Sequence, residues 1–343
     1  MENTPRNIVI VTGIYPPEIG GPAEYAKNLA EVWRAQGYNV KVKIFSKFNF
    51  LPSGLRHIVY FFYLIPSFIF SDYIFVIDTF SAALPATFLA WILGKKTVLR
   101  TGGDFLWEAY VERTGDMVLL RDFYKTRTNK FSFKEKIIFG LVRWLLHKTG
   151  AIIWSTEWQK NIFMEPYRLS YKKHSVVENY YGERYATEEP VDKIFIGSSR
   201  EVKWKNIEML KNIFGREDVS KSGAILDLER VPHGHFLEKM KRSYAAIVVT
   251  ISDISPNVIL DAILCQKPFI VTRETGIYER IKDIALFVDP NDEDDIAEKV
   301  KWLSVPENYE KQKRKVEQFD FIHSWEDIAY EYMTVYESLG ESR

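Results

Sequence analysis

A short run of aliphatic residues, a loop of glycine, proline or charge, and then an amphipathic helix: this unit recurs along the chain and restricts its fold more than any other feature. Asn7–Thr12 (NIVIVT) has the composition of a buried strand, and the loop IYPPEIGGP follows it at 14–22. A helix is predicted over Ala23–Gln36, with Leu29, Val32 and Trp33 on its apolar side and Gly37 as its stop. Asn39–Ile44 alternates as a strand does, and further strands are predicted at Tyr73–Ile77, Thr97–Arg100 and Ala151–Trp154. The second half repeats the pattern, with strands at Lys193–Gly197, Ala245–Thr250, Pro268–Val271 and Ala285–Val288. Helices are predicted from Ser255, over Asp292–Leu303 and over Trp325–Leu339. Strands alternating with helices imply an α/β protein with mostly parallel sheets.

With 343 residues the chain exceeds one ordinary domain, and the polar, turn-rich segment YYGERYATEEPVD at 180–192 marks a boundary. Apolar residues make up 46% and charged residues 27%, enough to build cores and unlike a disordered chain. The single cysteine, Cys265, excludes an intramolecular disulfide and suits a reducing, cytoplasmic compartment. The opening MENTPRNIVIVTG has no basic stretch followed by an apolar segment of signal-peptide length.

The formal net charge of zero hides an asymmetry. Residues 1–180 carry 23 Lys and Arg against 15 Asp and Glu, and residues 181–343 carry 23 against 31. One half facing an anionic surface such as a membrane leaflet accounts for that split, as does scattered solvated charge. The most apolar stretch, His57–Ser71 (HIVYFFYLIPSFIFS), is shorter than a membrane span and contains Pro66. It predicts a buried or interfacial helix, followed by a second helix at Ala82–Leu93.

Parallel sheets bind ligands beyond the carboxyl ends of their strands, and four loops there carry unusual residues. In Pro16–Pro22, Gly20 and Gly21 allow close backbone approach and lead into a helix N-terminus that favours phosphate, although a plain tight loop has the same composition. In Gly197–Asn206, Arg200 and Lys205 set two cations between a strand and a helix, where the helix dipole opposes them unless an anion is present. In Asp253–Asp261, Ser255 suits an N-cap and Pro256 a first helical position; the exposed amides there, of Ser255 and Asn257, can meet a diphosphate, and Asp253 and Asp261 can accept from hydroxyls. In Arg100–Glu108, Asp104 and Glu108 stand among glycines and aromatics, a combination that serves sugar binding or a turn with a buried Trp.

Other chemistries lack their residues. The six histidines and one cysteine show no zinc spacing, and His233-Gly234-His235 is expected to be a loop. There is no G-x-S-x-G elbow, no dinucleotide fingerprint and no Walker loop, and no interleaved basic and aromatic motif for nucleic acid.

In order along nearly the whole chain, these segments resemble the family-4-type glycosyltransferases of the GT-B fold. The resemblance rests on PPEIGGPAEYAKNLAEVWRAQGYNVKV, Ser155–Lys160, Val177-Glu178-Asn179, Gly197–Lys205, Asp253–Asp261, Gly276–Glu279 and Phe321–Leu339. It implies two facing Rossmann-like domains: an acceptor-side domain at 1–180, a shortened donor-binding domain at 181–320, and a helix at 321–343 returning to the first. It implies retaining transfer of a hexose from a nucleoside diphosphate sugar, as co-substrate and without a metal or other cofactor, to a lipid-linked or saccharide acceptor. The basic first half and the aromatic helix at His57–Phe70 add the expectation of a cytoplasmic protein in peripheral contact with the inner membrane leaflet. Carried over by position, Gly20 and Gly21 line the diphosphate, Arg200 and Lys205 neutralise it as it leaves, Asp253 meets the transferred sugar and Asp261 the ribose. Three departures stand out. Both acidic positions are Asp where the family usually has Glu, Gly102-Gly103-Asp104 replaces a common histidine, and Asn206–Asp227 is short. A degenerate, non-catalytic scaffold protein is the alternative these departures raise.

Overall fold

The computed structural model describes residues 6–170, 174–198 and 200–340. In chain order the strands are β1 (Asn7–Thr12), β2 (Asn39–Ile44), β3 (Tyr73–Ile77), β4 (Val98–Arg100), β5 (Ala151–Trp154), β6 (His174–Val176), β7 (Lys193–Gly197), β8 (Ala224–Asp227), β9 (Ala245–Val248), β10 (Phe269–Thr272) and β11 (Leu286–Val288). The helices are α1 (Gly21–Ala35), α2 (Ser53–Ile69), α3 (Ala83–Ile92), α4 (Phe105–Thr114), α5 (Leu120–Thr126), α6 (Phe133–Lys148), α7 (Glu157–Met164), α8 (Ile207–Gly215), α9 (Glu217–Ser220), α10 (His233–Arg242), α11 (Asn257–Leu264), α12 (Tyr278–Ile281), α13 (Glu293–Leu303), α14 (Pro306–Glu317) and α15 (Trp325–Ser338). They divide into two compact units, one from the described residues of 1–106, 127–179 and 323–343, the other from 107–126 and 180–322.

The first unit is built on a six-stranded sheet in the order β2-β1-β3-β4-β5-β6, every pair parallel. β1 and β3 are buried along almost their whole length, as strands covered on both faces require. Trp33 of α1 stacks on Phe75 of β3 with ring centroids 4.6 Å apart. From α15, Tyr332 meets the same pair at 6.2 and 5.7 Å, so the last helix completes this core. Ser132 and Glu135 form a reciprocal capping box that starts α6.

The second unit carries a five-stranded parallel sheet in the order β11-β10-β9-β7-β8. One layer of core is formed by Ile196, Ala246, Val248, Ile259 and Ile263 with α10 and α11, and the opposite layer by Phe195, Leu210, Ile247, Ile296 and Val300 with α8 and α13.

Several boundaries differ from the sequence expectation. α1 begins at Gly21 rather than Ala23, because Pro22 tolerates the first turn. Ser255 is not the N-cap of α11: Pro256 occupies that place, without a side-chain cap bond, and the helix starts at Asn257. His233-Gly234-His235 is not a loop, since α10 begins at His233. The apolar helix starts four residues before His57, at Ser53, and contains Pro66. β8 was not anticipated; its Ala224–Asp227 sequence alternates weakly and lies on the sheet edge. No helix among the described residues is long and apolar enough to cross a membrane.

Candidate functional site

In the second sheet β7 is flanked by β8 on one side and β9 on the other. Chain direction across the sheet therefore reverses at the β7–β9 junction, which opens a crevice beyond the carboxyl ends of those two strands. The loop after β7 holds Arg200 and Lys205, and the loop after β9 holds Asp253, Ser255 and Pro256. Ser199, in the first of these loops, lies outside the described residues.

Backbone chemistry fixes the cation loop. Lys203–Lys205 form one 3-10 turn, and Asn206 closes it at φ 60°, a left-handed conformation asparagine tolerates better than most residues. Its buried side-chain amide donates to the carbonyls of Val249 and Pro290 at 3.2 and 2.7 Å, tying the loop to the end of β9. The Ile251 amide donates to the Trp204 carbonyl at 2.9 Å, a second tie across the crevice. Gly197 ends β7 because a Cβ there would stand 3.1 Å from the Ile247 carbonyl oxygen of the neighbouring strand.

Lys205 Nζ lies 2.8 Å from Asp253 Oδ2, both side chains mostly buried, so the loops meet in an ion pair across the crevice. Trp204, buried, carries Lys205 at 4.5 Å from its ring centroid and Arg200 at 5.8 Å. Arg200 itself is exposed. Asp253 is held by its backbone, donating to the Glu274 carbonyl at 2.8 Å and accepting from the Gly276 amide at 3.0 Å. Glu274 is buried, which pushes its carboxyl up from the usual range, and Arg121 at 3.1 Å opposes that rise. Arg121 starts α5, and the neighbouring Leu120 amide donates to Ser252 Oγ at 3.0 Å.

Asp261 sits inside α11, buried, and burial raises its carboxyl pKa. His233 opposes the rise: its Nε2 is 3.2 Å from each Asp261 oxygen, bridging α10 to α11.

The first unit has the equivalent junction, with β1 between β2 and β3. Gly20 is the residue before α1 and Gly21 its first residue, so both flank that helix N-terminus. Across the junction Asp78 accepts from the Phe80 and Ala82 amides at 2.8 and 2.7 Å, and burial raises its pKa. Gly13 faces it, with room for a Cβ only 3.3 Å from Asp78 Oδ2. Asp104 is buried and accepts from the Leu106 amide at 3.0 Å at the start of α4. Beside it Phe80 and Phe105 stack with centroids 5.4 Å apart. Glu108 is half-buried on α4, in the part of the chain grouped with the second unit.

The structure thus brings Lys205, Asp253 and Arg200 around Trp204, and sets Asp261 with His233 on the next two helices. Sequence reasoning missed Asp78, Asn206, Trp204, Glu274 and His233 as participants. Trp204 and Asn206 stood within a quoted motif, and His233 had only its proximity to His235 as a signal. Among the described residues no group of three His, Cys, Asp or Glu side chains is placed to hold a metal ion.

No protein-family model matches this chain, and no curated protein sequence does. Solved structures do. Sucrose-phosphate synthase from Thermosynechococcus elongatus aligns with a TM-score of 0.68 at 12% identity, covering 98% of this chain and 100% of that one. The catalytic domain of starch synthase IV from Arabidopsis thaliana, bound to ADP and acarbose, aligns at 0.66 with 11% identity over 98% and 100%. HepE from Anabaena, in complex with UDP-glucose, aligns at 0.63 with 12% identity over 98% of each chain. The fold of this chain is that of the GT-B glycosyltransferases.

Proposed function

We propose that the protein is a retaining, family-4-type glycosyltransferase. It moves a hexose from a nucleoside diphosphate sugar to a lipid-linked or saccharide acceptor of a surface polysaccharide or glycolipid, at the cytoplasmic face of a membrane. The observation that carries this reading is the convergence, at the β7–β9 junction, of two cations, a carboxylate and the first turn of α11. HepE is in complex with UDP-glucose and starch synthase IV is bound to ADP, which supports a nucleotide-sugar donor here.

In that chemistry the glycosidic bond to the diphosphate breaks and negative charge grows on the leaving oxygens. Fixed cations and amides lower that barrier because they need no reorganisation as the charge develops. Arg200 offers a planar fork and Lys205 a point charge, while the Ser255 and Asn257 amides flank Pro256 at the positive end of α11. Asp253 is assigned to the transferred sugar and Asp261 to the ribose hydroxyls, with Gly20 and Gly21 on the diphosphate and Asp104 and Glu108 on the acceptor side. Lys205 is paired with Asp253, so a diphosphate that takes the ammonium exchanges one anion for another there. With two cations available for the leaving group, the reading invokes no metal and no other cofactor.

A panel of nucleoside diphosphate sugars, with released nucleoside diphosphate as the readout, tests the proposal. Turnover that collapses in Asp253→Ala and in Arg200→Ala, with the product anomer unchanged from the donor's by NMR, is expected. Donor binding without turnover across the panel and a set of lipid and saccharide acceptors would instead make the chain a non-catalytic scaffold.

A further inference from the structure

An amphipathic surface helix normally turns its apolar stripe to the core. α2 also keeps one outside. Tyr60, Leu64 and Phe68 are buried against the sheet, yet Leu55, Ile58, Phe62 and Ile69, spaced along another face of the same helix, are exposed, Phe62 by 61%. The apolar face continues sideways. Phe61 of α2 lies 5.7 Å from Phe88 of α3, and Phe88 lies 5.9 Å from Trp144 of α6. Trp91 of α3, 52% exposed, completes the strip 6.1 Å from Trp144. Between these helices runs a groove of about 590 Å³ lined almost wholly by apolar atoms of Ile58, Phe62, Phe88, Trp91, Leu141 and Trp144. Exposed contiguous apolar surface of this kind marks a place that something covers.

The charge around it identifies what. From Lys47 to Ser71 and from Thr79 to Gly103 the sequence has no acidic residue, while Lys47, Arg56, Lys95 and Lys96 fall there; Arg100, in the second stretch, is buried in β4. On α6, Lys134, Lys136, Arg143 and Lys148 are basic, and the one acid, Glu135, is buried in the capping box. Lys148 Nζ stands 5.3 Å from the Trp91 ring, at the edge of the aromatic strip. Exposed aromatics beside cations of a single sign complement the anionic headgroups and acyl boundary of a bilayer. A protein partner for so uniform a rim would have to be acidic around a large apolar knob, and a second copy of this chain docking through the same face would bring positive charge against positive charge.

We infer that the face formed by α2, α3 and α6 docks the protein on an anionic lipid bilayer, with Phe62 and Trp91 entering the acyl boundary and Lys134, Lys136 and Lys148 on the headgroups. The inference deepens the reading that the acceptor is lipid-linked, but the docking itself requires no sugar transfer.

Flotation of the full chain with vesicles of equal parts phosphatidylglycerol and phosphatidylcholine tests it, beside vesicles of phosphatidylcholine alone. Binding to the anionic vesicles that weakens steeply with salt, and little binding to the neutral ones, is expected. Each of Lys134→Glu and Lys136→Glu should weaken vesicle affinity about fivefold or more, and Phe62→Ser with Trp91→Ser more than tenfold. Absence of flotation, equal flotation on neutral vesicles, or full flotation of the serine pair overturns the inference. So does concentration-dependent dimerisation of the parent protein that Phe62→Ser abolishes, since the face then covers a second copy. The same variants are assayed for nucleoside diphosphate sugar binding and for thermal melting. Loss of flotation with donor binding intact isolates the surface, and parent protein that floats yet binds no donor refutes the glycosyltransferase reading while leaving the docking standing.

Discussion

Replacing Lys205 by alanine strands the Asp253 carboxylate in a mostly buried crevice. The paired atoms are 2.8 Å apart and the side chains only 14% and 13% exposed. At an effective dielectric of about 20, the Coulomb attraction at that distance is about 6 kcal/mol before any cost is counted. Desolvating both groups offsets most of it, and the surviving coupling for directly paired side chains is about 1–3 kcal/mol. Lys205→Ala alone should therefore cost about 3 kcal/mol, because the carboxylate left behind is uncompensated. Asp253→Ala should cost about as much for the mirror reason, and the double variant should cost less than the two together by the coupling energy. Urea unfolding of the parent, both single variants and the double variant closes the cycle, with fluorescence as probe since Trp204 lies beside Lys205. Single-variant costs that add to within about 0.5 kcal/mol in the double would mean the pair is not formed, and the proposed crevice would lose its geometry. In donor turnover Lys205→Ala should also lower kcat about 100-fold or more, the usual loss on removing one stabiliser of a developing anion.

Arg200 is exposed and lies 5.8 Å from the Trp204 ring, so Arg200→Ala should leave urea stability within about 0.5 kcal/mol while turnover falls about 100-fold. Asp261 tests the sign of a buried charge. Burial raises its pKa, so the folded protein holds that proton at pH values where the unfolded chain, titrating near about 3.9, has lost it, and stability falls as pH rises through that window. Asp261→Asn should accordingly raise the melting temperature at neutral pH by about 2–4 °C, leave it unchanged below about pH 4, and weaken donor binding, as melting scans against pH and donor titration would register. Gly197→Ala pushes a methyl toward the Ile247 carbonyl and Leu228, at a cost of about 1–3 kcal/mol in urea unfolding. Ser132→Ala removes one half of the α6 capping box and should cost about 1 kcal/mol, measured in the same way.

Nine strand positions were legible because most of those strands are short continuous apolar runs whose neighbours are turn residues; β6 (His174–Val176, HSV) and β8 were not anticipated. Asn7–Thr12 and Tyr73–Ile77 match their predicted limits residue for residue. β8 was missed for the reverse reason: an edge strand needs one apolar face only, and Ala224–Asp227 leaves Ile225 exposed. Among the site residues, those whose chemistry is local were readable. Lys205, Asp253 and Asp261 are charges at loop or helix positions where an isolated charge is costly, and Arg200 is an exposed cation in the same loop as Lys205; both are visible in one dimension. Their partners were not. His233 meets Asp261 from 28 residues away, and Asp78 is identified as buried only by the fold around it. A pairing of this kind is a property of which strands are neighbours, and no periodicity records it.

The short segment after Lys205 bears on catalysis through that same neighbour relation. What the crevice requires of Asn206–Tyr244 is that it carry the chain away from β7 and return it so that β9 lies beside β7 on the side opposite β8. One strand and two flanking helical segments suffice: β8 takes the far side through α8 and α9, and α10 brings the chain back into β9. Omitting a further strand and helix shortens the edge beyond β8 and leaves the β7–β9 junction untouched. The registers agree, since Phe195, Ile196 and Gly197 pair with Ala245, Ala246 and Ile247, so β9 ends only one residue beyond β7. The cation loop and the acidic loop then start side by side, which is why Lys205 reaches Asp253 across 48 residues of sequence. The shortening that the resemblance implies would remove wall, not floor. A ligand group lying beyond β8 would meet fewer side chains, whereas the proposed diphosphate at the junction would keep its contacts. The cost of such a shortening should therefore fall on selectivity for the nucleotide base and not on the chemical step. A donor panel reads that out as similar kcat with weakly separated KM values across nucleoside diphosphate glucoses differing only in base. Sharp discrimination among the bases would show that the β8 edge is as complete a wall as in a longer domain.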